Sequence, residues 1–93
     1  MKTMETKPAV STLAALAHDV RLAVYRMLVD AGGEGMAAGE ISDRLGMHKA
    51  TLSNHLKILL AAGIVDQERR SRSLIYRARP ERVVALARLL ADG

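Results

Sequence analysis

The stretch Gly46-Met47-His48-Lys49-Ala50-Thr51-Leu52-Ser53-Asn54-His55-Leu56-Lys57-Ile58-Leu59-Leu60-Ala61-Ala62-Gly63 decides how the rest of the chain is read. Leu52, Leu56, Leu59 and Leu60 recur at i, i+4, i+7 and i+8, the apolar stripe of an amphipathic helix. At about 100° per residue, Asn54 points almost directly away from that stripe. Ala50, Thr51, Ser53 and Lys57 flank it. Most of these side chains are short, so another backbone can approach closely, and several end in hydrogen-bonding groups. Gly63 supplies the stop. A shorter helical pattern, Ala38-x-x-Ile41-x-x-x-Leu45, precedes the stretch, with a tight turn at Gly46. Two helices joined by about three residues that include a glycine form a helix-turn-helix pattern. In such a unit the second helix lies in the DNA major groove, N-terminal end first.

Whole-chain properties agree with this reading. A chain of 93 residues is expected to form one domain with a modest core. Its 49% hydrophobic content is high for that size, which points to apolar surface reserved for association. The net charge of +4 favours an anionic partner. Its distribution is more telling. Between Arg44 and Arg79 lie eight cations (Arg44, Lys49, Lys57, Arg69, Arg70, Arg72, Arg77 and Arg79) and only two anions, Asp66 and Glu68. That surplus of six exceeds the net charge of the whole chain. The absence of cysteine excludes a disulfide framework, a thiol nucleophile and a thiolate metal site built on this chain. Neither a secretory leader nor a membrane-spanning apolar run is visible, so cytoplasmic residence is expected.

Taken in order, residues 1–10 read as a loose N-terminal arm and residues 11–93 as a single domain. A short helix is expected from Ser11, capped by Ser11 or Thr12, with Leu13 and Leu16 on one side. His18 and Asp19 break that pattern and open a second helix over Asp19 to Ala31, where Val20, Val24, Met27 and Leu28 fall at helical spacing. Gly32-Gly33-Glu34-Gly35 is a loop. Helix three is expected over Met36 to Leu45 and helix four over Lys49 to Ala62. Ile64 to Arg69 and Ser73 to Ala78 then read as two strands around a tip at Arg70-Ser71-Arg72. A hairpin straight after such a helix is a wing, and tip arginines suit a narrow, electronegative minor groove. If the tip needs φ > 0, Ser71 costs about 1 kcal/mol there. Pro80 opens a last helix in its first turn. That helix is apolar over a wide arc (Val83, Val84, Leu86, Ala87, Leu89 and Leu90), more than one small core needs. The last helix and the first are therefore assigned to a dimer interface, with Leu13, Leu16, Val83, Leu86, Ala87 and Leu90 as its residues. The expected fold is mostly α with a small β-hairpin wing, a winged helix-turn-helix in the order α-α-α-α-β-β-α.

Five segments carry a resemblance: Leu16-Ala17-His18-Asp19-Val20-Arg21-Leu22, Gly39 to Gly46, Thr51 to Lys57, Ala62-Gly63-Ile64-Val65, and Ser73-Leu74-Ile75-Tyr76. In this order the chain resembles the ArsR/SmtB family of bacterial repressors over most of Leu13 to Ala91. The resemblance implies a dimeric winged helix-turn-helix that occupies an operator and leaves it when an inducer binds, with the first and last helices forming the dimer. The chain also departs from the family. Many members carry a cysteine pair at the start of helix three, where this chain has Ala37 and Gly39. Others place Asp and His ligands on the last helix, which here offers Glu81 and Asp92 but no His. A subgroup carries cysteines just past that helix, beyond the Asp92-Gly93 at which this sequence ends. No metal and no cofactor is assigned, and the inducer is left unnamed.

The DNA-contacting residues are expected to be His48, Lys49, Ala50, Thr51, Ser53, Asn54, His55, Lys57, Arg70 and Arg72. Asn54 suits two-point hydrogen bonding to adenine; the plainer alternative is an exposed polar residue without a partner. Thr51 and Ser53 are groove or phosphate contacts, or simple polar residues of a helix start. Lys49 and Lys57 are phosphate contacts, or a solvated face. Ala50 permits close approach. Arg69 is read as pairing with Glu68 or Asp66 across the hairpin, and Tyr76 as core. His48 reads as an N-cap near phosphate, His55 as a hydrogen bonder at the helix edge and His18 as the cap of helix two. His48 and His55 stand two turns apart, about 10 Å, too far for one ion whose nitrogen ligands lie at about 2 Å.

Catalysis has little support. There is no nucleophile elbow, and the Gly32–Gly35 run lacks the Lys-Ser/Thr of a phosphate loop. The leading expectation is a homodimeric repressor of double-stranded DNA. The rival is a winged-helix protein-interaction module, against which the cation surplus argues. Single-stranded nucleic acid binding suffers from the 2% aromatic content, with Tyr25 and Tyr76 the only rings for stacking.

Overall fold

The computed structural model describes residues 4–92. The elements are α1 (Thr6–Leu16), α2 (Asp19–Ala31), a 3-10 turn (Gly32–Glu34), β1 (Met36–Ala37), α3 (Ala38–Leu45), α4 (Lys49–Ala61), β2 (Val65–Arg70), β3 (Ser73–Ala78) and α5 (Glu81–Asp92). This is a winged helix-turn-helix with one strand more than expected. The three antiparallel strands lie in the order β1-β3-β2.

The core is built on the leucine stripe of α4. Leu52, Leu56 and Leu59 are buried against Val24, Tyr25 and Leu28 of α2, Ile41 of α3, and Ile64, Val65 and Tyr76 around the sheet. Each leucine so buried contributes about 1.5–3 kcal/mol. The two helices of the helix-turn-helix end alike. Gly46 (φ 61°) follows α3, with the Met47 N–H donating to the Ser42 carbonyl at 3.0 Å and the Gly46 N–H to that of Asp43 at 3.3 Å. Gly63 (φ 74°) follows α4, with the Ile64 N–H on the Leu59 carbonyl and the Gly63 N–H on that of Leu60. Both are Schellman closures, which need a left-handed residue and so favour glycine. The buried Ser42 hydroxyl also donates to the Met47 carbonyl and locks the turn that sets α4 on α3.

Several boundaries differ from expectation. Thr6–Val10, assigned to the arm, are helical, so α1 starts five residues before Ser11. Pro8 is tolerated because it lies in the first turn, where its missing N–H has no partner to lose. Thr12 is not a cap: it is buried, and its hydroxyl donates back to the Pro8 carbonyl at 2.7 Å. The first three residues of the expected arm lie outside the described residues, as does Gly93. Met36 and Ala37, assigned to helix three, instead form β1 opposite Tyr76 and Ile75. Gly35 (φ 67°) turns the chain there, and a side chain at this position would collide with Arg77 and Ile75 of β3. Pro80 lies just before α5, its carbonyl accepting the Val84 N–H at 2.8 Å. His18 is the cap of α2, as expected, its Nδ1 accepting from the Val20 N–H at 3.2 Å.

The wing register pairs Arg70 with Ser73, so the hairpin turns on Ser71 and Arg72. Ser71 is the one non-glycine residue with positive φ, at 59°, among the described residues. Positive φ at the first of two central residues is the pattern of a type II′ turn, whose preferred occupant is glycine.

Candidate nucleic-acid interface

On α4, Lys49, Ala50, Thr51, Ser53, Asn54 and Lys57 are all exposed, as is His48 just before it. They form one outward face opposite the buried leucines, as the helical period requires. His48 occupies the N-cap position, its carbonyl accepting the Leu52 N–H at 3.0 Å, but its side chain caps nothing. Ile58, one turn beyond Asn54, is also exposed and adds an apolar residue to the face that sequence reasoning had passed over.

His55 sits differently. Three positions after Leu52, it borders the buried stripe and is half-buried. Its Nδ1 lies 3.5 Å from Nη1 of Arg21 on α2, and its ring centroid is 4.6 Å from that of His18. Burial lowers its pKa below the ordinary value of 6.5, and the nearby His18 and Arg21 lower it further. The unprotonated imidazole is therefore favoured. His55 thus faces the α1–α2 junction and stands apart from the exposed row. Arg21 was missed from the sequence, which held no signal beyond a cation near a helix start.

On the wing, Arg69, Arg70 and Arg72 are exposed. The ion pairs differ from expectation: Glu68 takes Arg70 at 3.1 Å and also Arg77 from the neighbouring strand, while Arg69 pairs with neither Glu68 nor Asp66. Strand alternation places residues 68 and 70 on one face of the hairpin and residue 69 on the other. An exposed pair of this kind is worth at most about 1 kcal/mol and leaves Arg70 able to exchange partners. Lys49, Lys57, Arg69 and Arg72 make no ion pair among the described residues. Arg44 on α3 is held by Glu40 one turn earlier, at 3.1 Å. Tyr76 is buried at the hairpin base, as expected, and burial raises its hydroxyl pKa above 10.0.

Within the chain α1 packs against α5. Of the six residues assigned to a dimer interface, Leu13, Ala87 and Leu90 are exposed, and Leu16 and Val83 are half-buried. Leu86 is only 4% exposed, against 63% for Leu90. Leu86 is therefore a correction: it is buried within the chain, whereas Leu90, one turn nearer the end of α5 on the same side, is left uncovered. Val10 and Val84 are exposed large apolar residues that belong with Leu13 and Leu90 on the outer side of the α1–α5 pair. Val10 had been hidden by its assignment to the arm. Among the described residues no group of three His, Cys, Asp or Glu side chains is placed to hold a metal ion, and no helix is long and apolar enough to cross a membrane.

Comparison with known proteins places these features among DNA-binding regulators. A family described as a helix-turn-helix domain matches residues 16–68. The chain is 33% identical over 82 residues to the transcriptional activator HlyU of Vibrio cholerae, covering 88% of this chain and 73% of that one. It is 40% identical over 65 residues to the transcriptional repressor SmtB of Mycobacterium tuberculosis, covering 70% of this chain and 46% of that protein. A solved ArsR-like transcriptional regulator from a Rhodococcus species superposes with a TM-score of 0.79 at 27% identity, over 92% of this chain and 78% of the other.

Proposed function

The chain belongs to the ArsR/SmtB family of winged helix-turn-helix transcriptional regulators and binds DNA; from that premise we propose that it acts as a homodimer on a double-stranded operator, as a repressor released by an inducer. The observation that carries this reading is the outward face of α4. Six consecutive-turn residues, Lys49 to Lys57, are free of the core, and Asn54 stands at their centre. Asn54 is assigned to base reading, Thr51 and Ser53 to the groove or phosphates, and Lys49, Lys57 and His48 to phosphates. Phosphate contacts fix register, while base contacts choose sequence. Arg70 and Arg72 at the wing are assigned to the neighbouring minor groove, together with Arg69, which makes no ion pair among the described residues.

Dimerisation is supported by the apolar side chains on the outer side of α1 and α5: Val10, Leu13, Val84, Ala87 and Leu90. A two-fold pair would present two α4 helices to half-sites about one helical turn or more apart. An inducer that binds more tightly to a DNA-incompetent arrangement of the dimer would release it, since only differential affinity shifts such an equilibrium. The regulator-named relatives argue for a binding protein and not an enzyme, and the assignment to the cytoplasm follows the DNA.

Duplex and single-stranded forms of the promoter upstream of the gene would test the proposal, titrated against salt. Binding confined to duplex, with a steep salt dependence and a discrete footprint, supports it. Equal affinity for single strands, or salt-independent binding to a protein with none to DNA, overturns it.

A further inference from the structure

Arg21 joins three elements. Its Nε donates to the Ala15 carbonyl at 2.7 Å and its Nη2 to the Ala14 carbonyl at 3.2 Å, both in the last turn of α1. Its Nη1 reaches Nδ1 of His55 on α4 at 3.5 Å. The cation thus sits on the negative end of α1 and satisfies carbonyls that the helix itself leaves free. Otherwise α4 meets α1 and α2 through leucines, and apolar packing is non-directional. Among the described residues, the Arg21–His55 contact is the side-chain hydrogen bond that links α4 to either helix, and Arg82, donating to the Ala62 carbonyl at 2.7 Å, holds only the far end of α4.

A guanidinium has donors and no acceptor. The contact therefore requires a lone pair on His55 Nδ1, with the ring proton on Nε2. We propose that Arg21 is a positioning residue for DNA binding, setting the pitch of α4 relative to α1 through His55, and that it does so only while His55 is unprotonated. The proposal rests on the reading that α4 enters the groove and α1 lies in the dimer. In that reading the brace ties the dimer helix to the helix that carries Asn54, one residue before His55. Protonation places a donor against a donor and sets a second positive charge beside Arg21 of α2; Arg21 and His18, whose ring on the α1–α2 connection lies 4.6 Å away, are the charged and titratable groups that face His55. Because the folded protein holds the His55 pKa below its unfolded value, the unfolded chain binds the proton first. The stability that goes with the unprotonated ring is present above the unfolded value of 6.5 and is lost as pH falls through the lower folded value.

The test compares wild type with Arg21→Gln, Arg21→Lys, His55→Ala, His55→Asn and the Arg21→Gln/His55→Ala pair. Asparagine offers an acceptor near the position of Nδ1 and does not titrate. Affinity for the promoter duplex is measured between about pH 8 and about pH 5.5, the interval in which histidine titrates, and thermal melting of the free protein is followed over the same interval. Arg21→Gln and His55→Ala should each weaken binding about tenfold at the higher pH with an unchanged salt slope, and the double variant should be no weaker than either. Arg21→Lys should also weaken binding, since an ammonium cannot span three acceptors in a fixed fork. His55→Asn should bind like wild type at high pH and lose the wild-type decline on acidification, in both affinity and melting. A salt slope lower by about one in the single variants would instead mark direct phosphate contacts. That result, additive losses, or a His55→Asn protein as acid-sensitive as wild type would overturn the proposal. Melting is read without DNA, so wild type failing to bind duplex would count against the proposed function, whereas acid-sensitive melting of His55→Asn would count against the brace.

Discussion

Leu86 and Leu90 lie one helical turn apart on α5, yet the structure assigns them opposite consequences. Leu86 is 4% exposed within the chain and Leu90 63%. Full burial of a leucine is worth about 1.5–3 kcal/mol. About three fifths of that remains to be gained at Leu90 if a second copy covers it, or about 1–2 kcal/mol per protomer. Counted on both sides of a two-fold interface this becomes about 2–4 kcal/mol, a roughly 30- to 1,000-fold effect on dimer dissociation. Leu90→Ala should therefore weaken the dimer by that factor, and Leu90→Glu should abolish it, leaving a folded monomer with a native circular dichroism spectrum. Leu86→Ala should instead lower the stability of the folded chain by about 2–5 kcal/mol, through lost burial and the cavity left behind. Sedimentation equilibrium reads the first effect. Chemical denaturation of Leu86→Ala in the Leu90→Glu background reads the second, free of dimer linkage. A Leu90→Glu protein that sediments as a dimer would refute the assignment of this face.

Three further predictions concern the DNA face and the wing. Asn54→Ala should cost about 1–3 kcal/mol on the cognate duplex and relax selectivity at one base position, measured by competition with single-base variants; an equal loss on random duplex would assign Asn54 to the backbone. Lys49→Gln and Lys57→Gln should weaken binding to all sequences alike, each lowering the salt slope by about one unit in a salt titration. Ser71→Gly should raise stability by about 0.5–1 kcal/mol in thermal unfolding, because the residue at φ 59° is relieved of its left-handed strain and only part of that gain is lost to a freer unfolded chain.

Much of this protein is legible one segment at a time. The 3.6-residue recurrence of Leu52, Leu56 and Leu59 determines which side of α4 is buried, and so which side Asn54 presents. Glycines at 46 and 63 mark where its two helices stop, because few other residues take a left-handed backbone cheaply. Alternation in Ser73–Ala78 determines a strand and buries Tyr76. These are local consequences of chain geometry, and they suffice for the winged helix-turn-helix and its exposed basic surface.

Tertiary structure decided what depends on residues far apart in sequence. Both α1 and α5 are apolar over wide arcs, so periodicity alone leaves open which residues meet the chain's own core; packing covered Leu86 and left Leu90, one turn later on the same side, exposed. Met36 and Ala37 carry no strand pattern of their own and became β1 because β3 had a free edge beside them. Strand register, and no property of the arginines, gave Glu68 to Arg70 and Arg77. The link from Arg21 to His55 spans 34 positions and exists only after α2 and α4 have packed. A side chain's own segment determines the face it occupies, but its partner is determined by the rest of the fold.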